Sequence, residues 1–460
     1  MADIPNNRNG EGEAGHNVQL EGKMEDTLRS QPILTKLQEI ADKAASNPDL
    51  VFTSLAHLID VDFLWLAFKK TRVGGAAGVD KVTWMQYSKN LEENLADLHK
   101  RLRERTYRAQ PVKRAWADKD DGKKRPLGIP VLEDKIVQRA VVMLLEAVYE
   151  QDFYEFSHGF RKEHSPQQAL KEIREKCYSE NINWIVDADI SKFFDSIDRR
   201  LLIEIIKQRV NDGGLIRLIG KWLNAGVLDG EELFHPETGT PQGGVISPIL
   251  ANIFLHHVLD EWFVNEIKPR LKGRCFLIRF ADDFVIGCEY ESDARRVMNV
   301  LPKRFNRYEL TIHPEKTAMI DFRSPGRREK SDINKHTFDF LGFSHYWCKS
   351  RRGNWVIRRK TIGKRLRRAM KRVWLWCKEN RHIKISEQFA ILRSKLYGHY
   401  QYYGIRCNYK MLEVYYEQVL RAWRHWLGRR SRDGSIPWEQ FDRIVIEFPL
   451  PKPRIVHTCI

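Results

Sequence analysis

The sequence has no cysteine pair at C-x-x-C spacing and no paired histidines that would complete a zinc site; its seven cysteines, at 177, 275, 288, 348, 377, 407 and 459, are scattered. That argues against a zinc module or a disulfide-framed domain and leads us to expect reduced thiols, no structural zinc and a cytoplasmic location. No run reaches the roughly 18 uncharged apolar residues that a membrane-spanning helix needs, and the polar, acid-containing first residues do not resemble a signal peptide. No membrane partner is expected. Internal repeats are missing too. Acids are scarce in one region, with 4 Asp/Glu against 23 Lys/Arg between Arg351 and Arg432.

What is present is a chain of 460 residues, 42% apolar and 11% aromatic, enough for two or three domains with real cores. Its formal charge is +17. The balance of 351–432 alone is +19, so the basicity is local and points to a polyanionic partner, nucleic acid first. Within that stretch Leu366, Met370, Val373, Trp374 and Cys377 form one apolar helical stripe, and Lys364, Arg365, Arg367, Arg368, Lys371 and Arg372 fill the other faces. Most of the aromatics interleaved there, from Trp374 to Trp426, sit at helical spacing and read as core rather than base-stacking platforms.

Along the chain, residues 1–26 hold almost nothing to bury and read as a disordered tail. Helical periodicity starts at Thr27, a second amphipathic stretch follows around Val51 to Phe68, and a glycine-rich loop breaks the chain at Gly74 to Gly78. A helix is expected between Trp84 and Leu102. Lys113 to Pro130 reads as two strands around Asp120-Asp121-Gly122, with helix from Asp134 to Tyr149. Ile182 to Ile190 is strand-like, Ile197 to Val210 and Pro248 to Trp262 helical, and Cys275 to Cys288 a β-hairpin.

Carboxylates occupy conspicuous places on these elements. Asp189 stands near the end of an apolar strand, on the same face as Asp187. Asp282 and Asp283 lie in an Ala-Asp-Asp turn between two apolar strands, where a tight hairpin presents carboxylates beyond its ladder. An Asp-Asp turn is also ordinary turn chemistry, whereas hard oxygen ligands on rigid strands are what Mg²⁺-assisted phosphoryl transfer requires. Between them, Thr240-Pro-Gln242-Gly243-Gly244-Val-Ile-Ser247-Pro248 joins two permissive glycines to an N-cap serine and a first-turn proline.

The ordered set Asp189…Phe194-Asp195, Pro241-Gln242-Gly243…Ser247-Pro248 and Phe280-Ala281-Asp282-Asp283 resembles motifs A, B and C of reverse transcriptases, in the version carried by group II intron-encoded reverse transcriptase/maturases. The likeness runs from Gly78-Val79-Asp80, through Arg125 to Pro130 and Gly159-Phe160-Arg161, to Tyr397–Tyr403. Phe280 stands where the commoner tetrad has tyrosine.

The resemblance implies an α+β right-hand polymerase, with fingers and an antiparallel palm sheet followed by an α-helical thumb/maturase domain. It further implies RNA-directed DNA polymerase activity with two Mg²⁺ ions, an RNA template (a group II intron RNA), a DNA primer or target, and dNTPs. Asp189 and Asp282 would be the principal metal ligands, with the Ile190 carbonyl and Asp283 completing the set. Phe194 would exclude ribonucleotides, while Gln242, Lys119, Arg125 and the motif D lysine Lys316 would meet the dNTP; Lys123 and Lys124 are placed as well as Lys119. Leu341-Gly342-Phe343 would be the primer grip, and Arg365, Arg368, Lys371 and Arg372 would bind RNA.

The corresponding segments are 1–26 (tail), 27–180 (N-terminal helices and fingers), 181–348 (palm, with a fingers insertion at about 200–240), 349–432 (thumb/maturase) and 433–460 (C-terminal tail, without an endonuclease module). A host-adopted reverse transcriptase in repair, phage defence or spacer acquisition, and a splicing factor that binds RNA without catalysis, are the alternatives.

Overall fold

A computed structural model describes residues 11–118, 124–230, 232–234, 238–239, 243–327, 336–431 and 434–458. The chain folds into two compact units: Met1–Glu155, Ser191–Glu261 and Phe305–Leu310 form the first, and Phe156–Ile190, Trp262–Arg304 and Thr311–Ile460 the second. The path therefore alternates between units instead of filling them in linear order. Residues 199–261 group with the N-terminal helices, and the basic third groups with the acid-bearing sheet.

In the first unit the helix Leu132–Tyr149 is the spine, with Ile136, Val137, Ala140, Val141, Leu144, Leu145 and Val148 buried. Each large aliphatic side chain so buried contributes about 1.5–3 kcal/mol. The long helix Glu11–Ser46 includes residues 11–26 of the 1–26 stretch expected to be a disordered tail, residues 1–10 lying outside the described residues. Its later half buries Ile33, Ile40 and Ala44, and once that half is nucleated, extending the helix costs little. The end of this helix is held by Arg209, which is paired with Asp152 at 2.9 Å and donates to the carbonyls of Ala44, Asn47 and Leu50. The Ala44 carbonyl is one of the acceptors a helix C-terminus leaves open, and the other two belong to the loop that follows.

The hairpin expected at 113–130 is present, as the antiparallel strands Val112–Asp118 and Lys124–Ile129. Val227–Asp229 joins it in parallel, and Glu232–Phe234 completes a four-stranded sheet. Helix Ser247–Leu255 begins one residue earlier than expected, with Ile246 rather than Ser247 in the cap position and Pro248 in the first turn. It continues through π-helical turns at His256–Glu261.

The second unit is built on a four-stranded antiparallel sheet in the order Cys275–Phe280, Asp283–Cys288, Trp184–Ala188, Ala318–Asp321. Its two central strands carry continuous apolar runs because both faces are covered. Helix Pro166–Ser179 supplies Leu170 and Ile173 to a core shared with Ile185, Phe276, Ile278, Val285 and Ile320. A second sheet, Phe338–Phe340, Phe343–Lys349 and Trp355–Thr361, adds Phe338, Phe340 and Phe343 to the same core.

The basic third is helical: Gly363–Glu379, Ile385–Tyr403 and Tyr409–Gly428 enclose Leu366, Val373, Leu396, Tyr400 and Trp423. The aromatics of this region are thus largely core. Buried Gln388 donates to the carbonyls of Asn380, Arg381 and Ile383 and accepts from Trp423 Nε1 at 2.9 Å. The segment expected only as a C-terminal tail folds onto these helices. Helix Trp438–Glu447 buries Phe441, and the Tyr400 hydroxyl donates to the Pro451 carbonyl at 3.0 Å. The α+β class holds throughout.

Candidate active site

The acidic residues meet through strand register. Trp184–Ala188 runs antiparallel to Asp283–Cys288, with Asp187 opposite Val285 and Ala188 opposite Phe284. One further step of that register sets Asp189 against Asp283. The partner strands Cys275–Phe280 and Asp283–Cys288 pair to their ends, Phe280 with Asp283, leaving only Ala281 and Asp282 in the turn. Ala281 adopts a φ of +57°, a left-handed conformation that L-residues seldom take.

Two buried features hold that turn. Arg279, fully buried, donates from Nη1 to the Ala281 carbonyl at 3.1 Å. Gly159 packs so closely that a Cβ there would lie 2.1 Å from the Ala281 amide nitrogen. The amide of His158 donates to the Arg279 carbonyl (2.8 Å) and that of Arg279 to the Phe156 carbonyl (2.9 Å), so segment 156–159 runs alongside the hairpin. Gly159 and Arg279 carry no catalytic chemistry, and this bracing function was not read from the sequence; the only signal was the glycine itself.

Three carboxylates in one place repel one another. The Asp283 carboxyl is pushed up to about 6, first by lost hydration, then by Asp282 and Asp189, while Arg365 and Lys316 pull it down. Because Asp283 remains exposed at the strand end, the like charges are the more telling cause. The ammonium of Lys316 donates to Asp189 Oδ2. On the backbone, His313 N–H donates to the Asp189 carbonyl at 2.8 Å, the hydrogen bond of the Ile190–Ile312 bridge. That bond uses the carbonyl of Asp189, not that of Ile190.

The residues fit a hard divalent cation. They offer carboxylate oxygens on rigid strands, and a cationic ammonium already sits on Asp189. Among the described residues no group of three or more His, Cys, Asp or Glu side chains is arranged to hold a metal ion by itself, so water and substrate would have to complete the shell. An open set is what Mg²⁺ prefers, since it keeps waters and substrate phosphates in its shell.

The turn Leu341-Gly342-Phe343 belongs to the same unit. Leu341 and Gly342 have φ of +47° and +85°. The Tyr402 hydroxyl donates to the Leu341 carbonyl at 3.0 Å, and a Cβ on Gly342 would stand 3.1 Å from Arg365 Nη1 and 3.2 Å from the Tyr403 hydroxyl. Arg365, expected on an RNA-facing surface, thus lies half-buried by this turn and acts on Asp283. Arg368 is half-buried, and Lys371 and Arg372 are exposed.

The remaining site residues lie in the first unit. Arg125 is exposed on strand Lys124–Ile129. Phe193 is buried and Phe194 half-buried, their rings 5.3 Å apart, so Phe193 is the core residue of the pair. Lys119 and Gln242 fall outside the described residues. Next to Gln242, Gly243 has a φ of +110°, and a Cβ there would meet the Gly128 carbonyl at 2.6 Å. Buried Gln138 accepts the amide of Val245 at 2.8 Å and anchors the end of that loop. The permissive glycine thus serves contact with the hairpin strand.

Residues 117–345 match the family described as reverse transcriptase (RNA-dependent DNA polymerase). The chain is 37% identical over 242 residues to the group II intron-encoded protein LtrA of Lactococcus lactis subsp. cremoris, covering 52% of this chain and 40% of that protein. It is 32% identical over 289 residues to protein YkfC of Escherichia coli (strain K12), covering 55% and 75%, and 30% identical over 154 residues to nuclear intron maturase 4, mitochondrial, of Arabidopsis thaliana, covering 33% and 19%. It therefore spans less than half the length of the Lactococcus protein. The matched segment contains Asp189, Asp282 and Asp283 in the register described above, and the chain belongs to the reverse transcriptase family, among the group II intron-encoded reverse transcriptase/maturases.

Proposed function

We propose that this chain is an RNA-directed DNA polymerase that extends a DNA primer on an RNA template and also binds an intron RNA to assist its splicing and retrohoming. The observation that carries the reading is the register that sets Asp189 beside the Asp282–Asp283 turn in a chain of this family. Asp189, Asp282, Asp283 and the Ile190 carbonyl would hold two Mg²⁺ ions. Bound there, such ions activate the primer 3′-hydroxyl and stabilise the leaving pyrophosphate.

The chain's own groups do the rest. Lys316 pairs with Asp189 and would place a positive charge, and a proton, near the departing phosphate. Arg125 and Lys119 would grip the triphosphate through charge-assisted hydrogen bonds, and Gln242 would lie near the base pair. Phe194 would close the space beside the sugar's 2′-carbon. The Leu341-Gly342-Phe343 turn would bring backbone close to the primer, and Arg368, Lys371 and Arg372 would neutralise RNA phosphates. Arg365, by its place beside Gly342, would face the primer end instead.

The test supplies the purified chain with an RNA template, a DNA primer, dNTPs and Mg²⁺, and measures extension. Extension that stops on chelation supports the proposal. RNA binding without extension, at any divalent ion concentration, would favour a splicing factor without catalysis.

A further inference from the structure

The first unit contains a cavity of about 620 Å³ lined by His57, His99, Arg103, Arg105, Arg217 and Lys221, among others. That volume falls within the ~300–1,000 Å³ typical of ligand sites. Four of those side chains are permanent cations. None forms an ion pair among the described residues, although Lys221 donates to the Tyr107 carbonyl. The single acid in the lining, Asp212, is already committed, accepting the amides of Leu55 (2.5 Å), Ala56 (2.8 Å), Gly214 (2.7 Å) and Leu215 (3.1 Å).

Arg103, Arg105 and Arg217 are exposed and Lys221 is half-buried, so water screens their mutual repulsion, but grouped together they make a positive field that favours a bound anion. The crowding is felt at Lys221, whose pKa is lowered first by burial and then by Arg217 and Arg108. Arg105 is held at a φ of +63°, strained backbone that the surrounding fold must enforce. The lining is not wholly ionic, since it includes Ile59, Leu102 and Leu218. A cavity too large for inorganic phosphate, lined by both cations and apolar side chains, suits a phosphate joined to a flat apolar body.

We propose that this cavity binds a nucleoside phosphate, either free or as one residue of single-stranded RNA, at a site distinct from the carboxylate centre. The phosphate is held by Arg103, Arg105, Arg217 and Lys221, and the base lies against Ile59, Leu102 and Leu218.

The test titrates the full chain with GMP, and separately with a short oligouridylate, in chelator so that the carboxylate centre takes no divalent ion. It compares the double variant Arg103→Ala/Arg217→Ala with Lys36→Ala/Lys43→Ala, which removes the same charge from an exposed helix elsewhere in the unit. The pocket variant is expected to weaken binding by about ten-fold or more, as loss of charge-assisted bonds does, and the control by much less. GMP displaced by saturating oligouridylate assigns the site to a strand residue, as does an oligouridylate defect confined to the pocket variant when GMP does not bind. GMP retained beside the oligomer assigns it to a free nucleotide. Equal losses in the two variants, or no loss of either ligand in the pocket variant, would overturn the proposal. Since no extension is measured, this outcome is independent of polymerase activity.

Discussion

Gly159 meets the amide of Ala281 so closely that any side chain there would occupy the backbone of the acidic turn, its Cβ 2.1 Å from that nitrogen. Gly159→Ala should therefore cost about 1–3 kcal/mol of stability, the range of overpacked sites, and should depress primer extension at temperatures where the chain remains folded. Denaturant midpoints and extension rates measured side by side check this. Unchanged values for both would mean that segment 156–159 does not brace the turn.

Asp134 gives the first unit a pH dependence of known sign. Its carboxyl is almost fully buried and pushed up to about 6, by burial first, against hydrogen bonds from the Tyr107 hydroxyl and the Gln110 amide that lower it. Between the unfolded value of 3.8 and about 6 the native state binds more protons than the unfolded chain, so this group's contribution is greatest in acid and falls as pH rises through that window. Asp134→Asn should remove a fall on the order of 2–3 kcal/mol. Denaturation midpoints from pH 4 to 7 would show the slope in the wild type and its reduction in the variant; parallel curves would contradict it.

Arg359 is fully buried in the second unit, where its one hydrogen bond among the described residues goes from Nη1 to the Leu170 carbonyl at 3.0 Å, and among those residues Nε and Nη2 have no partner. Burial lowers its pKa to about 10. A buried cation without a carboxylate destabilises the fold, so Arg359→Met should raise stability by about 1 kcal/mol or more. Thermal denaturation with intact extension activity is the check, and a lower midpoint would show that the guanidinium has a function this geometry does not explain.

Phe194 is the more exposed of two adjacent phenylalanines, Phe193 being committed to the core. Phe194→Ala should raise ribonucleotide incorporation relative to deoxyribonucleotide by about ten-fold or more, the scale on which steric pockets discriminate. Single-nucleotide incorporation kinetics measure the ratio, and an unchanged ratio would move the gate elsewhere.

The acidic hairpin was legible in the sequence because two largely apolar segments flank a short Ala-Asp-Asp turn, a pattern with few alternatives. Asp189 was legible for a similar reason, at the end of a strand buried on both faces. Arg365 was not: among seven cations on one helix nothing local distinguishes it, and only the tertiary approach of the Leu341-Gly342-Phe343 turn brings it to Asp283. Gly159 stands in the Gly159-Phe160-Arg161 motif, but its function depends on a contact with a residue more than a hundred positions away. The helix over 11–26 escaped a composition argument because its support comes from the segment after it. The excursion of the chain at about 200–240 was expected from the resemblance, but its bounds, Ser191–Glu261, depend on tertiary contacts.

The most direct measurement is primer extension on an RNA template by Asp282→Asn, with RNA binding measured on the same preparation. Asn keeps the size and the turn chemistry but removes the charge that a divalent ion requires. Loss of several kcal/mol of metal-assisted stabilisation should slow extension on the order of a thousand-fold, with RNA affinity unchanged. Extension within a few-fold of the wild type would show that the Asp189, Asp282 and Asp283 cluster is not the catalytic centre.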